Sequence, residues 1–453
     1  MIACGSTTPA ESAATDSTST STAPVTTTEP VATTEPTTTE PGTTTGAEPV
    51  TYHQHVRPIL EARCVGCHHS EGVGPFSLTS YTDASTWAQV SVDAVDGRRM
   101  PPFMPDDSDC WPIADIRKMD AWERDLLGEW LAAGTPEGDP DAPPEVQISP
   151  PEGSLGPPMR SFPDHIIHTP DTADSDEYRC FRVDPTLTAA WTFFQALSID
   201  IDNRARVHHA VIHAVPPELV AATLKVDADT PEPGWSCYFG PGVVGAFPVG
   251  SYSPGSFVRP YADGTSVPLA AGTQFIVELH FHATFNKDPV DVAVTSWEFA
   301  APVLRFPHGL SMFNSNFFIP AGAPSVTAPL AGRIIAADQE PAVQEARAGK
   351  IWGVDFHMHM RGKTARIDLV RKDGTRQCLL QVPEWHDEWQ GPYVFDMPLV
   401  AGAGDTIEAT CEWDNTAENQ PIVDGVQLEP TNLHWGFDAL DEMCNAYVSM
   451  TLN

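Results

Sequence analysis

Short apolar runs with alternating polar residues fill the sequence after about residue 160. Runs such as TQFIVELHFHA, GKTARIDLV and AYVSMTL are separated by turns rich in Gly, Pro and Asp. A period of two is typical of strands that bury one face, and no long helical period competes except near AADQEPAVQEARAGK. About 290 residues in this pattern predict two β-sandwiches that pack together.

The charge balance is strongly acidic. The 453 residues include 25 Lys plus Arg against 61 Asp plus Glu, which argues against nucleic acid as a partner and favours a self-repelling, soluble surface. The length predicts two to four domains, and 44 prolines favour turns and sheet edges over long helices. No run of about 18 apolar residues is present, so no membrane-spanning helix is expected.

The N-terminus has the character of an exported protein. MIACGS is too short for a signal peptide but resembles the end of a bacterial lipoprotein signal, in which Cys4 would carry the lipid; a stray cysteine after a wrongly assigned start is the alternative. Residues 5–48 are mainly Thr, Ser, Pro and Glu, a composition that does not form a core. We therefore expect a disordered tether over residues 1–50 and a periplasmic or cell-surface lipoprotein.

A c-type haem attachment motif follows the tether. Cys64-Val65-Gly66-Cys67-His68 has the C-x-x-C-H spacing in which two thiols bond the porphyrin and the imidazole ligates iron. A zinc knuckle or a disulfide is the alternative, but no second C-x-x-C lies nearby to complete four zinc ligands. The motif predicts one covalently bound haem.

The haem module should extend over residues 51–141. In RRMPPFMPDD, Met100 is the preferred second axial ligand because Met-Pro-Pro resembles the axial loop of class I cytochromes c, and Met104 remains an alternative. Helices are expected before the motif and over MDAWERDLLGEWLAAG, which ends at Gly134. This is an all-α cytochrome c-like domain, and residues 142–158 are expected to be a linker.

Histidines of the β region fall in three clusters. They are His208, His209 and His213; His280 and His282; and His357 and His359. Lone histidines on strands are usually core residues, but three clusters need a common reason, and imidazole suits copper, zinc, iron or nickel. Residues i and i+2 of a strand share a face, whereas adjacent histidines can bind one metal only at a strand end or a bulge. The spacing alone leaves the metal open.

RVHHAVIHA, IVELHFHA, DFHMHMRGK and LDEMCNAYVSM together resemble the copper type II, ascorbate-dependent monooxygenases, which include dopamine β-monooxygenase and peptidylglycine α-hydroxylating monooxygenase. The resemblance covers about residues 155–453, and Asp441-Glu442-Met443-Cys444 is its most specific part. It implies two jelly-roll-like sandwiches, at residues 159–305 and 306–453, each carrying one copper across a solvent-filled cleft.

The resemblance also implies ligands. The first, electron-transfer copper would take His208, His209 and His280, and the second, oxygen-binding copper His357, His359 and Met443, whose soft sulfur favours Cu(I). Asn445 and Tyr447 match positions near the second copper, although both could equally be packing residues. His213 and His282 have no counterpart among the ligands and are expected to support the site or the fold. Met358 and Met360 are expected to be packing residues.

The cysteines favour an oxidising compartment. Setting aside Cys4 and the two haem thiols, six remain, which allow 15 pairings. The resemblance implies the pair Cys411–Cys444, and the other partners are not assigned by the sequence.

The implied function is hydroxylation of a C–H bond with O2, with two electrons per turnover from an ascorbate-like reductant or a redox protein. We expect the fused haem to pass them to the first copper. Asp355 replaces the arginine that grips the substrate carboxylate in the peptide-acting enzyme, so a small cationic or neutral substrate is expected. The alternatives are a non-catalytic envelope protein that binds copper and haem, and a zinc or iron hydrolase with Glu278 as base.

Overall fold

The computed structural model describes residues 49–452 apart from 71, 107, 116, 149–154, 156, 171–176, 238–239, 254–257, 259, 262–263, 282–287, 334–348, 424–425 and 437–439. Several sequence predictions therefore lie outside the described residues. They are the lipid-anchor Cys4, the tether, His282 and most of the helical stretch near residue 340. Residues 48–453 group as one compact unit, which is mostly β with few helices.

The helices are concentrated at the start of the described chain. A π-helical turn, Tyr52–Val56, leads into α1 (Arg57–Arg63), and α2 (Tyr81–Asp96) and α3 (Ala121–Ala132) follow. Helix α3 begins with a capping box between Asp120 and Glu123. It ends as predicted at Gly134, whose φ of +82° lets the N–H groups of Gly134 and Thr135 reach back to the last carbonyls in a Schellman arrangement.

The three helices enclose a core of their own. It includes Val56, Ile59 and Leu60, the apolar residues expected at helical spacing, and Trp130 of α3. Val146 and Ile148 also pack on this core, and the N–H of Val146 donates to the Gln54 carbonyl at 3.2 Å. Part of the segment predicted to be a linker is therefore attached to the helices.

The next sandwich lies between residues 160 and 298. Its strands are β2 (Arg160–Ser161), β3 (Ile166–His168), β4 (Glu177–Val183), β5 (Trp191–Ile201), β6 (Val207–Val215), β7 (Trp235–Ser236), β8 (Phe247–Tyr252), β9 (Val267–Ala270), β10 (Gln274–Phe281) and β11 (Val290–Glu298). One sheet has the order β7-β4-β10-β6-β8 and the other β2-β11-β5-β9, with β3 also paired to β11. Their apolar faces meet in one core that includes Ile212, Val277 and Val292, as alternating strands predict.

Outside this sandwich, helix α4 (Val220–Ala228) follows a 3-10 turn at Pro217–Leu219. Ile276 and Trp235 form a smaller cluster that also contains the Cys180–Cys237 disulfide. This cluster gives the outer face of the sheet an apolar cover.

The C-terminal sandwich is built mainly from residues 308–452. Its strands are β12 (His308–Phe313), β13 (Phe318–Ile319), β14 (Val326–Arg333), β15 (Gly349–His357), β16 (Gly362–Val370), β17 (Arg376–Val382), β18 (Tyr393–Ala401), β19 (Thr406–Trp413), β20 (Ile422–Val423), β21 (Val426–Gln427), β22 (Leu433–His434) and β23 (Asn445–Leu452). The two main sheets contain β18-β15-β23-β12 and β14-β19-β16-β17, and two further pairs are β13-β22 and β20-β21. Val354, Ile367 and Val448 belong to the core between the main sheets.

The helical segment is joined to this C-terminal sandwich by a stretch that the sequence did not single out. Strand β1 (Ile113–Ala114) pairs antiparallel with β18 and so extends its sheet. Just before it, Cys110 is disulfide-bonded to Cys378 of β17. Met104 lies in the sandwich core, where its sulfur accepts a hydrogen bond from the N–H of His386 at 3.2 Å. Met104, the alternative haem ligand, is therefore a core residue of the sandwich.

Three disulfides lie within the described residues, including the pair that the family resemblance implied. Covalent pairs of this kind persist in oxidising compartments, which suggests an extracellular or periplasmic location. The disulfides are Cys110–Cys378, Cys180–Cys237 and Cys411–Cys444.

No helix among the described residues is both long and apolar enough to cross a bilayer.

Candidate metal centres

A β-bulge brings the adjacent histidines of the first cluster together. In the ladder between β10 and β6, His280 lies opposite His209 but Phe281 lies opposite Val207, so His208 is the extra residue. A bulge of this kind turns a side chain away from strict alternation. A bulge is one of the two arrangements in which the adjacent His208 and His209 could both bind one metal.

The Nδ1 atoms of the three imidazoles converge. They are separated by 3.1 Å between His208 and His209, 3.0 Å between His208 and His280, and 3.3 Å between His209 and His280. A point equidistant from three atoms so spaced lies about 1.8 Å from each, close to the about 2.0 Å of a metal–imidazole nitrogen bond. The Nδ1 atom of a neutral imidazole either donates or accepts a hydrogen bond, so the three Nδ1 atoms cannot all be satisfied by one another. Three such nitrogens together suit a cation.

Neighbouring side chains hold this triad in place. The ring of Tyr178, opposite His280 on β4, stacks on it with the centroids 3.9 Å apart. His213 is paired with Glu278, Nε2 to Oε2 at 2.9 Å, at a site with little exposure. The pairing fits the supporting role predicted for His213, and it commits Glu278 to a structural contact rather than to an open catalytic site.

The histidines of the second cluster lie at the end of β15. The ring centroids of His357 and His359 are 5.1 Å apart, with the planes nearly perpendicular. The Nδ1–H of His359 donates to the Asp441 carbonyl at 3.1 Å, and the Nδ1–H of His357 donates to Oε1 of Gln390. The orientation of the Gln390 amide is fixed because its Nε2 donates to the Asp387 carbonyl at 2.7 Å. Both imidazoles are thus set in the tautomer with the lone pair on Nε2, the nitrogen that binds a metal.

The segment Asp441–Met443 folds back against this pair. His357 lies opposite Asn445 in the ladder of β15 and β23, and continuing that register places Met443 across from His359. Met443 is buried, and its sulfur accepts a hydrogen bond from Nδ2 of Asn445 at 3.4 Å. Met443, predicted to supply the thioether of the second site, therefore lies in the segment that leads into β23, and His359 lies just beyond the end of β15.

Glu442 fixes the path of the chain at this site. Its fully buried carboxylate accepts hydrogen bonds from the N–H groups of His359 at 3.0 Å and Arg361 at 2.7 Å, and from Nε1 of Trp413 at 2.9 Å. Burial raises the pKa of Glu442 to about 7, and these donors oppose the rise. Cys444, the next residue but one, is tied to Cys411 and anchors the same segment.

Burial at this site also changes the pKa of His357. Burial and, to a smaller extent, the nearby His359 together lower the pKa of His357 to about 4, while the hydrogen bond to Gln390 opposes this shift. A neutral imidazole is the form that ligates a metal, so the site is prepared for a cation across the neutral pH range.

Asp355 and Tyr447 lie directly opposite each other on β15 and β23, on the face that carries His357. Burial raises the pKa of Asp355 to about 7, while Arg117 lowers it. Tyr447 is 40% exposed, so it is available to a ligand at this face. Of the two methionines predicted to pack, Met358 is fully buried in the core, but Met360 is exposed and that prediction is wrong. Met360 lies in the turn between β15 and β16.

The predicted haem motif follows α1 directly. Cys64 and Cys67 are thiols outside the three disulfides. The Nδ1–H of His68 donates to the Phe76 carbonyl at 3.1 Å, which leaves the lone pair on Nε2, as an axial ligand requires. His68 is buried, and this burial lowers its pKa. Met100 lines a separate cavity of about 240 Å³.

Sequence reasoning missed Gln390, Glu442 in its supporting role, and Arg117. Each acts through a contact with a residue far away in the chain, so no local spacing reveals it.

Comparison with known proteins finds a family match in the C-terminal part of the chain. Residues 333–450 match the family model described as copper type II ascorbate-dependent monooxygenase, C-terminal domain. The matched segment contains His357, His359 and Met443 but not the first triad. No curated protein matches this chain.

Similarity to solved structures is low. The major capsid protein P2 from Bacteriophage PM2 is 8% identical, with 61% of this chain and 98% of that chain covered and a TM-score of 0.24. The infectious bursal disease virus VP2 subviral particle is 12% identical, with 67% and 74% covered and a TM-score of 0.18. Scores this low carry no conclusion about fold or function.

Proposed function

We propose that this protein is a copper-dependent monooxygenase that hydroxylates a C–H bond of a small organic molecule with O2. The observation that carries the proposal is the position of the Asp441–Met443 segment beside His357 and His359, within the segment that matches the family model. Two imidazoles and a thioether form a soft donor set that favours Cu(I) and distinguishes the site from a zinc hydrolase.

The residues of both centres fit copper. His208, His209 and His280 would hold one ion through their Nδ1 atoms, and His357 and His359 would hold the other through Nε2, with Met443. Bound copper would supply one-electron redox chemistry and the activation of O2.

The chain itself positions these groups. Gln390 and the Asp441 carbonyl keep the two imidazoles from rotating, and Glu442 fixes the backbone that carries His359. Such hydrogen bonds to ligands orient them and raise their basicity. Overall, the substrate C–H bond, O2, two electrons and two protons give the alcohol and water.

Cys64, Cys67, His68 and Met100 would hold a covalently attached c-type haem, which would supply one-electron transfer. The support is the buried His68, whose tautomer suits ligation, and the presence of Met100 rather than Met104 at a cavity of the helical segment. An ascorbate-like reductant or a redox protein would be the external electron donor. The chain would be held at the periplasmic or cell-surface side of a bacterial membrane through Cys4.

Asp355 and Tyr447 are the proposed substrate contacts. They face each other beside His357, and an acidic group at this place disfavours a carboxylate substrate. A cationic or neutral small molecule, such as an amine, a phenol or an alkyl compound, is the expected class.

Oxygen uptake by the copper-loaded, reduced protein against amines, phenols and alkyl compounds tests this proposal. We expect uptake that depends on one substrate class, is lost in Met443→Ile and persists in Met360→Ile, a matched change of an exposed methionine. Two bound coppers without substrate-dependent uptake would instead favour a non-catalytic envelope protein for electron transfer or metal handling. Equal activity of the two variants would overturn the role of Met443.

A further inference from the structure

Arg117 is a buried arginine whose guanidinium is only partly satisfied by hydrogen bonds. It is only 4% exposed, and Asp115 accepts hydrogen bonds from its Nε at 2.9 Å and its Nη2 at 2.6 Å. Its Nη1 is buried and has no hydrogen-bond partner in the part of the chain that the structure describes. A buried charged donor left without an acceptor is costly, so this nitrogen points to an absent anionic group.

Arg117 lines the cavity of about 240 Å³ that also contains Met100. Basic side chains are concentrated there, with Asp106 as an acidic member, although the protein as a whole is strongly acidic. The cavity therefore suits an anion. Its lining includes Arg98, Met100, Asp106, Lys118, Met119 and Arg124.

The cavity borders the core of the helical segment. Met119 and Val95 line it and also belong to the helical core against which Cys64 packs. A porphyrin attached to Cys64 would therefore border the same core as this cavity.

We propose that Nη1 of Arg117 binds a carboxylate of the covalently attached haem and holds that edge of the porphyrin against the C-terminal sandwich. This inference rests on the haem of the proposed function. The guanidinium of Arg117 lies over the ring of Tyr393 in β18, 5.4 Å from the centroid. Tyr393 pairs with Val354, the neighbour of Asp355, so Arg117 connects the haem edge to the strand that carries His357. Arg117 is a positioning residue.

The charge of Arg117 should act on the haem potential. A guanidinium paired with a haem carboxylate cancels a negative charge near the iron, and removing it leaves that charge to stabilise the ferric form. The midpoint potential should therefore fall when Arg117 is neutralised.

Spectroelectrochemical titration of the full-length holoprotein measures this effect in Arg117→Gln and Arg117→Lys. The controls are Arg57→Gln and Arg57→Lys, which make the same changes on α1 at a residue paired with Glu61 near the surface. We expect both Arg117 variants to keep their covalent haem and to shift to lower potential, with the larger shift in Arg117→Gln, whereas the Arg57 variants match the wild type. Lysine should shift the potential because its single ammonium will pair with Asp115.

Potentials of the Arg117 variants equal to those of the Arg57 variants would overturn the inference. If Arg117→Gln does not fold, the comparison of Arg117→Lys with Arg57→Lys decides it in the same way. A wild-type protein without covalent haem would refute the haem of the proposed function, a distinct outcome seen directly in the pyridine haemochrome spectrum.

Discussion

Replacing Glu442 with alanine should destabilise the C-terminal sandwich and remove the second copper centre selectively. The carboxylate accepts three hydrogen bonds, from His359, Arg361 and Trp413, in a site without solvent access. Each buried donor left without an acceptor costs about 1–3 kcal/mol, so the loss should be at least about 3 kcal/mol. For a domain of this size, about 3 kcal/mol lowers the melting temperature by about 6 to 12 °C.

The assay is thermal unfolding of the copper-free protein, followed by metal analysis of the copper-loaded protein. Glu442→Gln keeps one acceptor oxygen and should fall between the wild type and Glu442→Ala. Glu408→Ala is the control, because Glu408 pairs with Arg376 near the surface and its loss should cost less than about 1 kcal/mol. A Glu442→Ala protein with the same melting temperature as Glu408→Ala, or one that retains both coppers, would refute the role assigned to Glu442.

Three further predictions concern ligand support, the first centre and the link between the segments. Gln390→Ala removes the acceptor that orients His357 and should weaken copper binding at the second site by about 10–100-fold in a competition titration, with no change at the first. His208→Ala should lower the copper content from two ions per chain to one, and two retained ions would contradict the triad. Replacing both Cys110 and Cys378 with serine should lower the free energy of unfolding by about 2–4 kcal/mol in denaturant titrations, and an unchanged midpoint would show that the disulfide adds no stability.

Patterns local to the sequence predicted much of the architecture. Alternating runs identified the strands of the two sandwiches, because the period of two follows directly from one buried face. The end of α3 at Gly134 followed from the need for a left-handed residue there, and the structure confirms it. The disulfide Cys411–Cys444, implied by the family resemblance, is also confirmed.

Long-range contacts account for what the sequence did not reveal. From the sequence, His208 and His209 could bind one metal only at a strand end or a bulge. The pairing of β6 with β10 shows that a bulge is present there. Met104 belongs to a sandwich more than 200 residues later in the chain, as its contact with His386 shows. Nothing near Arg117 in the sequence indicates that its neighbour in space is Tyr393. Such contacts depend on how separate elements dock, which local periodicity does not encode.

X-ray absorption spectroscopy of the Cu(I)-loaded protein reports the atoms bound to copper and therefore tests whether Met443 ligates the second copper. We predict a sulfur neighbour together with imidazole nitrogens in the wild type and in Met360→Ile, and loss of the sulfur signal in Met443→Ile. A wild-type spectrum with nitrogen and oxygen neighbours alone, or a sulfur signal that survives in Met443→Ile, would contradict it.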